Sequence, residues 1–229
     1  MSLRNRVALV TGGSRGIGRG LALRLAQDGA RMAIAYRSNK VAAQQALRQL
    51  QAHGADCVAV ETDITDAGRC DQLIKTVVDR FGRIDVIVNN VGDFRWGLTV
   101  LYMCRAALPH MRKARWGRII NLGAVGAERA FGQAKISAYA AAKAAVVALS
   151  RSLALEEAKN GITVNVVNPS SIDENELTLE EARKIHDARF PIGRPPTVED
   201  VAATVAFFAS EEAEYVTGQV VNVSGGWML

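Results

Sequence analysis

Residues 6–18 read Arg-Val-Ala-Leu-Val-Thr-Gly-Gly-Ser-Arg-Gly-Ile-Gly (RVALVTGGSRGIG). The apolar run over Arg6 to Thr11 does not alternate with polar residues, as suits a strand buried on both faces. Ile17 to Asp28 then takes up helical spacing. Glycines between a strand and a helix allow a tight turn and let backbone approach a pyrophosphate, whose charge meets the helix N-terminus. A loose glycine pattern alone could be an ordinary connector, but the strand before it and the helix after it are the context that gives it meaning. Gly12, Ser14, Arg15, Gly16, Ile17 and Gly18 are therefore expected to bind a dinucleotide.

The same alternation continues outward from this turn. Strands are expected at Arg31–Tyr36, Asp56–Glu61, Ile84–Asn89, Arg118–Leu122, Ile162–Val167 and near Gln219–Val223. Between them the spacing predicts helices at Lys40–His53, Ala67–Phe81, Leu98–Arg112 and Ser137–Lys159, with helical stretches from Thr178 and Val198. Apolar strands separated by amphipathic helices give right-handed crossovers and a parallel sheet. The fold class is α/β: a Rossmann-type, doubly wound parallel sheet of about seven strands with helices on both faces. No linker, repeat or low-complexity tract divides residues 1–229, so one domain is expected.

The end of the second expected strand bears on cofactor choice. An acidic residue there would hold a ribose 2′-hydroxyl. This chain has Tyr36-Arg37-Ser38, with no carboxylate. Arg37, joined by Arg15, could instead fork onto a 2′-phosphate, which favours NADP(H) over NAD. The plain alternative is two solvated arginines.

Bulk properties narrow the rest. With 49% hydrophobic residues in 229, the chain can bury a large core. Its formal charge of +5 mildly favours anionic partners. The basic residues are scattered, without a dense block or aromatic interleaving, which speaks against nucleic acid. Cys57, Cys70 and Cys104 lack paired or metal-ligand spacing, and so suit a reducing compartment. His53, His110 and His186 have no ligand partners at metal spacing, so no metal is expected. No run approaches the roughly eighteen apolar residues of a membrane span, and a cytoplasmic location is expected. Trp227 reads as a packing or interface residue rather than a substrate contact.

Tyr139 and Lys143 sit four apart in an alanine-rich helical run, on one face. Together with TGGSRGIG, Asp63 in ETDIT, Asn89-Asn90-Val91-Gly92, VNVVNPS around Pro169 and VTGQVVNVSGG, this order of motifs resembles the short-chain dehydrogenase/reductase family over essentially the whole length. Within it, the chain is most similar to the 3-oxoacyl-[acyl-carrier-protein] reductase branch. The resemblance implies that Asp63 and Ile64 flank the adenine, that Asn90 and Gly92 line the adenosine ribose side, and that Ile172, three residues after Pro169, touches the nicotinamide amide. It implies a carbonyl substrate, small or linked to an acyl carrier, reduced to an alcohol or the reverse, and a homodimer or homotetramer. Tyr139 would exchange the proton. Lys143 would anchor ribose hydroxyls and, with the oxidised nicotinamide, lower the tyrosine pKa from about ten.

Two departures stand out. Where the family has a catalytic serine after the fifth strand, Ile120-Asn121-Leu122-Gly123-Ala124 offers Ala124 and no hydroxyl. Ser137 lies two residues before Tyr139 and points elsewhere, leaving Asn121 or a backbone N–H as partial substitutes. The segment after Gly92 is markedly shorter than in relatives, and the family's asparagine position falls at Trp96 or Gly97. The loop after Pro169 is also short, with Pro-Ser for Pro-Gly and Glu174 where a threonine is common. Either the lids of this chain are clipped, or stretches of the natural chain are absent from this sequence. A cofactor-binding protein with little catalysis is the alternative reading.

Overall fold

In a computed structural model, residues 2–91, 98–130, 134–172 and 177–228 are described. Seven strands form one sheet in the order β3-β2-β1-β4-β5-β6-β7. They are β1 (Val7–Thr11), β2 (Arg31–Tyr36), β3 (Cys57–Glu61), β4 (Val86–Asn89), β5 (Gly117–Leu122), β6 (Ile162–Pro169) and β7 (Val220–Val223). Every pairing is parallel. The helices are α1 (Gly16–Gln27), α2 (Lys40–Ala52), α3 (Ala67–Phe81), α4 (Leu98–Ala114), α5 (Ser137–Glu157), the single turn α6 (Leu179–Ala182) and α7 (Val198–Ala209). The expected doubly wound α/β architecture is the one observed.

Side chains alternate across each strand, so each strand feeds two cores. Val7, Leu9, Ile87 and Val164 pack with Leu73, Met103, Met111 and Leu153, against α3, α4 and α5. Ala8, Val10, Val88 and Ile120 pack with Leu21, Leu50, Val201 and Val205, against α1, α2 and α7. Both faces being covered explains why the strands read as unbroken apolar runs. By length and composition, Ser137–Asn160 could cross a bilayer. Here Val146, Leu153 and Ala154 of that stretch are buried in the core beside the sheet.

Local signals set the helix ends. Asn39 caps α2 by accepting from the Ala42 N–H, and Asp66 caps α3 by accepting from Arg69. Thr178 with Glu181, and Thr197 with Asp200, form capping boxes for α6 and α7. The element ends differ from the sequence expectation by one or two residues. β6 continues to Pro169, paired with Val223. β4 begins only at Val86, although the Asp85 backbone already bonds to Val7 and Arg118.

Asp85 is fully buried. One of its oxygens accepts from the Val7 N–H at 2.8 Å, and Arg83 Nε donates to both oxygens at 2.8 and 3.0 Å. Arg6 lies 3.6 Å away. This carboxylate fastens the start of β1 to the start of β4. Arg6 keeps its 2.7 Å pair with Glu211, but we expect Asp85→Ala to strand the Arg83 guanidinium and a buried N–H and to cost about 3 kcal/mol, read as a lower urea midpoint at unchanged slope. A loss below about 0.5 kcal/mol would show that the contact carries little.

Candidate active site

The strand order reverses between β1 and β4, and the crevice there opens at the carboxyl ends of the strands, where ligands of such sheets sit. The glycine turn is built for close approach. Gly12 has φ +65°, and a Cβ on Gly18 would lie 2.3 Å from the Gly12 carbonyl oxygen and 2.6 Å from Asn90 Nδ2. No atom lies within 4 Å of where a Gly16 side chain would begin. Arg15 caps α1 with extended backbone and is exposed, while Ser14 is buried. Ile17 packs against the α1/α7 core.

Across the crevice, Asn90 and Thr11 brace β4 to β1. Asn90 Nδ2 donates to the Thr11 carbonyl at 3.0 Å, and the Asn90 N–H donates to Thr11 Oγ1 at 3.0 Å. The Val91 N–H reaches the same hydroxyl at 3.4 Å. Thr11 was not singled out in the sequence, where its only signal is a hydroxyl placed just before the glycines. Gly92 lies outside the described residues, as do Trp96, Gly97 and Glu174.

The crevice continues as a cleft of about 580 Å³ lined by the glycine turn, Tyr36–Asn39 at the end of β2, Thr62–Thr65 after β3, and Val91. Arg15 and Arg37 both line it and both are exposed. Among the described residues, Asp63 is the single carboxylate lining it, and its Oδ1 is taken up by the Thr65 N–H at 3.0 Å and the Thr65 hydroxyl at 2.8 Å. Ile64 is buried beside it. Backbone closeness at the turn, a helix N-terminus, and two arginines at the far end fit a phosphorylated dinucleotide.

On the other side of β4, Lys143 of α5 is buried and donates from Nζ to the Leu122 carbonyl at 2.7 Å, at the end of β5. Its ammonium lies 5.6 Å from the centroid of the Tyr139 ring. Burial pulls the Lys143 pKa down to about 8. Burial also raises the Tyr139 hydroxyl above its ordinary value. The protein's own groups leave desolvation dominant, with the ammonium facing a carbonyl and the ring; the lowering expected from the sequence also counted the charge of the oxidised nicotinamide.

Ala124 is partly buried and presents only a methyl group. Asn121 cannot take over the serine's task. It is fully buried, its Oδ1 accepts from Asn89 Nδ2 at 2.8 Å, and its Nδ2 donates to Ser150 Oγ at 2.8 Å. Ser137 begins α5 in an exposed position, apart from the part-buried Tyr139. Pro169 ends β6, and Ile172 lines a small cavity with Leu177, Ile185 and Pro195. Thus the structure gathers Gly12, Ser14, Arg15, Arg37, Asp63 and Ile64 on one cleft, with Tyr139 and Lys143 apart from it near the end of β5. Among the described residues, no group of three or more His, Cys, Asp or Glu could hold a metal.

The depressed Lys143 pKa has a sign. The unfolded chain holds this proton up to about 10.4, while the folded chain releases it near 8. Lys143 therefore weakens the fold near neutrality, and its contribution improves as pH rises from about 8 towards 10.4. We expect Lys143→Met to hold or raise the melting temperature at pH 7. A drop of several degrees there would mean that the ammonium stabilises the fold.

Comparison with known proteins follows the same lines. The family model described as short chain dehydrogenase matches residues 6–184. The 3-oxoacyl-[acyl-carrier-protein] reductase FabG of Staphylococcus aureus (strain Mu50) is 39% identical, over 97% of this chain and 98% of that protein. That alignment runs over 243 residues, longer than the chain itself, so the relative carries residues without a counterpart here. The 3-oxoacyl-[acyl-carrier-protein] reductase of Synechocystis is 38% identical, over all of this chain and 99% of that one. The structure of acetoin dehydrogenase YohF from Salmonella typhimurium superposes with TM-score 0.85 at 32% identity, covering 97% and 96% of the two chains.

Proposed function

The chain belongs to the short-chain dehydrogenase family of oxidoreductases, and from that premise we propose that it is an NADP(H)-dependent reductase of a 3-oxoacyl thioester or small ketone, working also in reverse on the alcohol. The observation that carries this reading is the pairing of a basic, phosphate-ready cleft with a Tyr139–Lys143 pair near the end of β5. In the cleft, Gly12, Ser14, Arg15, Gly16, Ile17 and Gly18 would hold the pyrophosphate. Arg15 and Arg37 would hold the 2′-phosphate, Asp63 and Ile64 the adenine, and Asn90 with Gly92 the adenosine ribose. Pro169 and Ile172 would border the nicotinamide. The bound cofactor supplies the hydride that adds to the carbonyl carbon.

Tyr139 gives its hydroxyl proton to the carbonyl oxygen, so that the product leaves as a neutral alcohol. The phenolate left behind is stabilised by the Lys143 ammonium. No hydroxyl at Ala124 assists the developing oxyanion, and the loss of such a donor costs about a hundredfold in rate. Since Lys143 loses its proton near pH 8 and Tyr139 titrates higher, reduction is expected to fall as pH rises through about 8. A rate that is flat to pH 10 would remove Lys143 from the mechanism.

Ala124 also supports a second reading, in which the chain binds NADP(H) with little catalysis, as a sensor or oligomer partner. Oxidation of NADPH against a panel of activated ketones and 3-oxoacyl thioesters separates the two. A reductase loses turnover with Tyr139→Phe and gains up to about a hundredfold in kcat with Ala124→Ser. A binding protein retains NADPH affinity with no turnover even in Ala124→Ser. Turnover untouched by Tyr139→Phe would rule out the tyrosine mechanism.

A cytoplasmic location and a dimer or tetramer accompany this reading. Leu98 and Leu101 on α4 and Leu155 on α5 are exposed apolar residues suited to contact with a second copy. No nucleic-acid or membrane partner belongs to it.

A further inference from the structure

Between the end of β5 and α5 the chain makes a short 3₁₀ turn, Ala127–Arg129, entered through Gly126 at φ 85° and left through Ala130 at φ 51°. A positive φ at alanine is strained and persists only where surrounding contacts enforce it. The contacts here are unusual. Glu128 Oε2 accepts from Asn168 Nδ2 at 3.0 Å, and Glu128 Oε1 accepts from Asn222 Nδ2 at 3.0 Å. Asn168 Nδ2 also donates to Asn222 Oδ1 at 2.9 Å. Asn168 and Asn222 are register partners on β6 and β7, so the three side chains close a ring that ties the turn to two strands.

The ring reaches the proposed reaction centre through backbone. A Cβ on Gly123 would lie 1.9 Å from Asn168 Oδ1; the amide is wedged against the residue preceding Ala124. Leu122, one residue earlier, offers its carbonyl to Lys143. Ala127, next to Glu128, packs with Val147, one helical turn beyond Lys143, and with Val166. Burial pushes the Glu128 carboxyl up, but bonds from Asn222, the Gly126 and Glu128 N–H groups and nearby Arg129 outweigh it and hold it below its ordinary value. The carboxylate is therefore the ionised acceptor that both amides require.

We propose that Glu128, closed into a ring with Asn168 and Asn222, is a positioning residue that fixes the Gly123–Ala130 turn against the Tyr139–Lys143 pair. Without a serine hydroxyl, the backbone of this turn is what faces the substrate oxygen from the β5 side. Its placement then matters more than in a chain with a hydroxyl to aim. The catalytic part of this inference rests on the reductase reading; the structural part does not.

The test exploits the ring's polarity. Glu128→Gln puts an N–H against one of the asparagine donors. Adding Asn222→Asp moves the carboxylate to the other side of the ring and restores every donor–acceptor pair. Both variants and the parent are compared by hydrogen exchange at the amides of Ala127, Arg129 and Ala130, by NADPH affinity, and by kcat for the best carbonyl substrate. We expect Glu128→Gln to speed exchange in the turn by about tenfold or more and to lower kcat by about tenfold to a hundredfold, with NADPH affinity within about twofold of the parent. The double variant should recover both exchange protection and kcat. Exchange unchanged in Glu128→Gln, or protection not recovered in the double variant, overturns the proposal. So does kcat that stays low while protection returns, since Glu128 would then act on the substrate itself. If no variant, parent included, turns over any carbonyl, the reductase reading fails and the exchange data alone decide whether Glu128 holds the turn.

Discussion

The meeting of β1 with β4 is the constraint on which the site depends. Asn90 donates two hydrogen bonds to Thr11 across it, and Gly18 lets the start of α1 close to within contact of the Gly12 carbonyl. At this point the crossovers diverge to opposite faces of the sheet, so a crevice must open between them. Its walls are then settled by whatever ends β2 and β3 on one side and β5 and β6 on the other. Asn90 thereby does structural work: its side-chain nitrogen is held by β1, and its presence beside Gly18 rules out a larger residue there.

The two halves of the crevice differ in what they hold ready. On the β2–β3 side, Arg15 and Arg37 bring positive charge to a cleft where Asp63 is the one lining carboxylate among the described residues and is occupied by its own turn. On the β5 side a buried ammonium is already bonded to backbone, Asn121 is locked among Asn89 and Ser150, and Ala124 offers no donor. Binding and chemistry need not have kept pace in such a chain. The Glu128 ring adds a reason for the β5 turn to stay in place even without its hydroxyl.

Much of this was legible in the letters. Unbroken apolar strands dictated a sheet covered on both faces, and TGGSRGIG between a strand and a helix located the crevice. The spacing of Tyr139 and Lys143 placed both on one face of α5. What could not be read was anything set by three-dimensional proximity. The direction of the Tyr139 pKa depends on how deeply the ring is buried. The fate of Asn121 depends on its sharing a face with Ser150. The Glu128 ring needs the β6–β7 register, and a lone glutamate in a polar turn carries no hint of it.

The most direct test is an equilibrium titration of the purified chain with NADPH and with NADH at one ionic strength, followed by fluorescence. Two arginines at the end of the cleft predict that NADPH binds at least about tenfold more tightly, a difference of roughly 1.4 kcal/mol. Equal affinity, tighter binding of NADH, or binding of neither would contradict the account of this cleft.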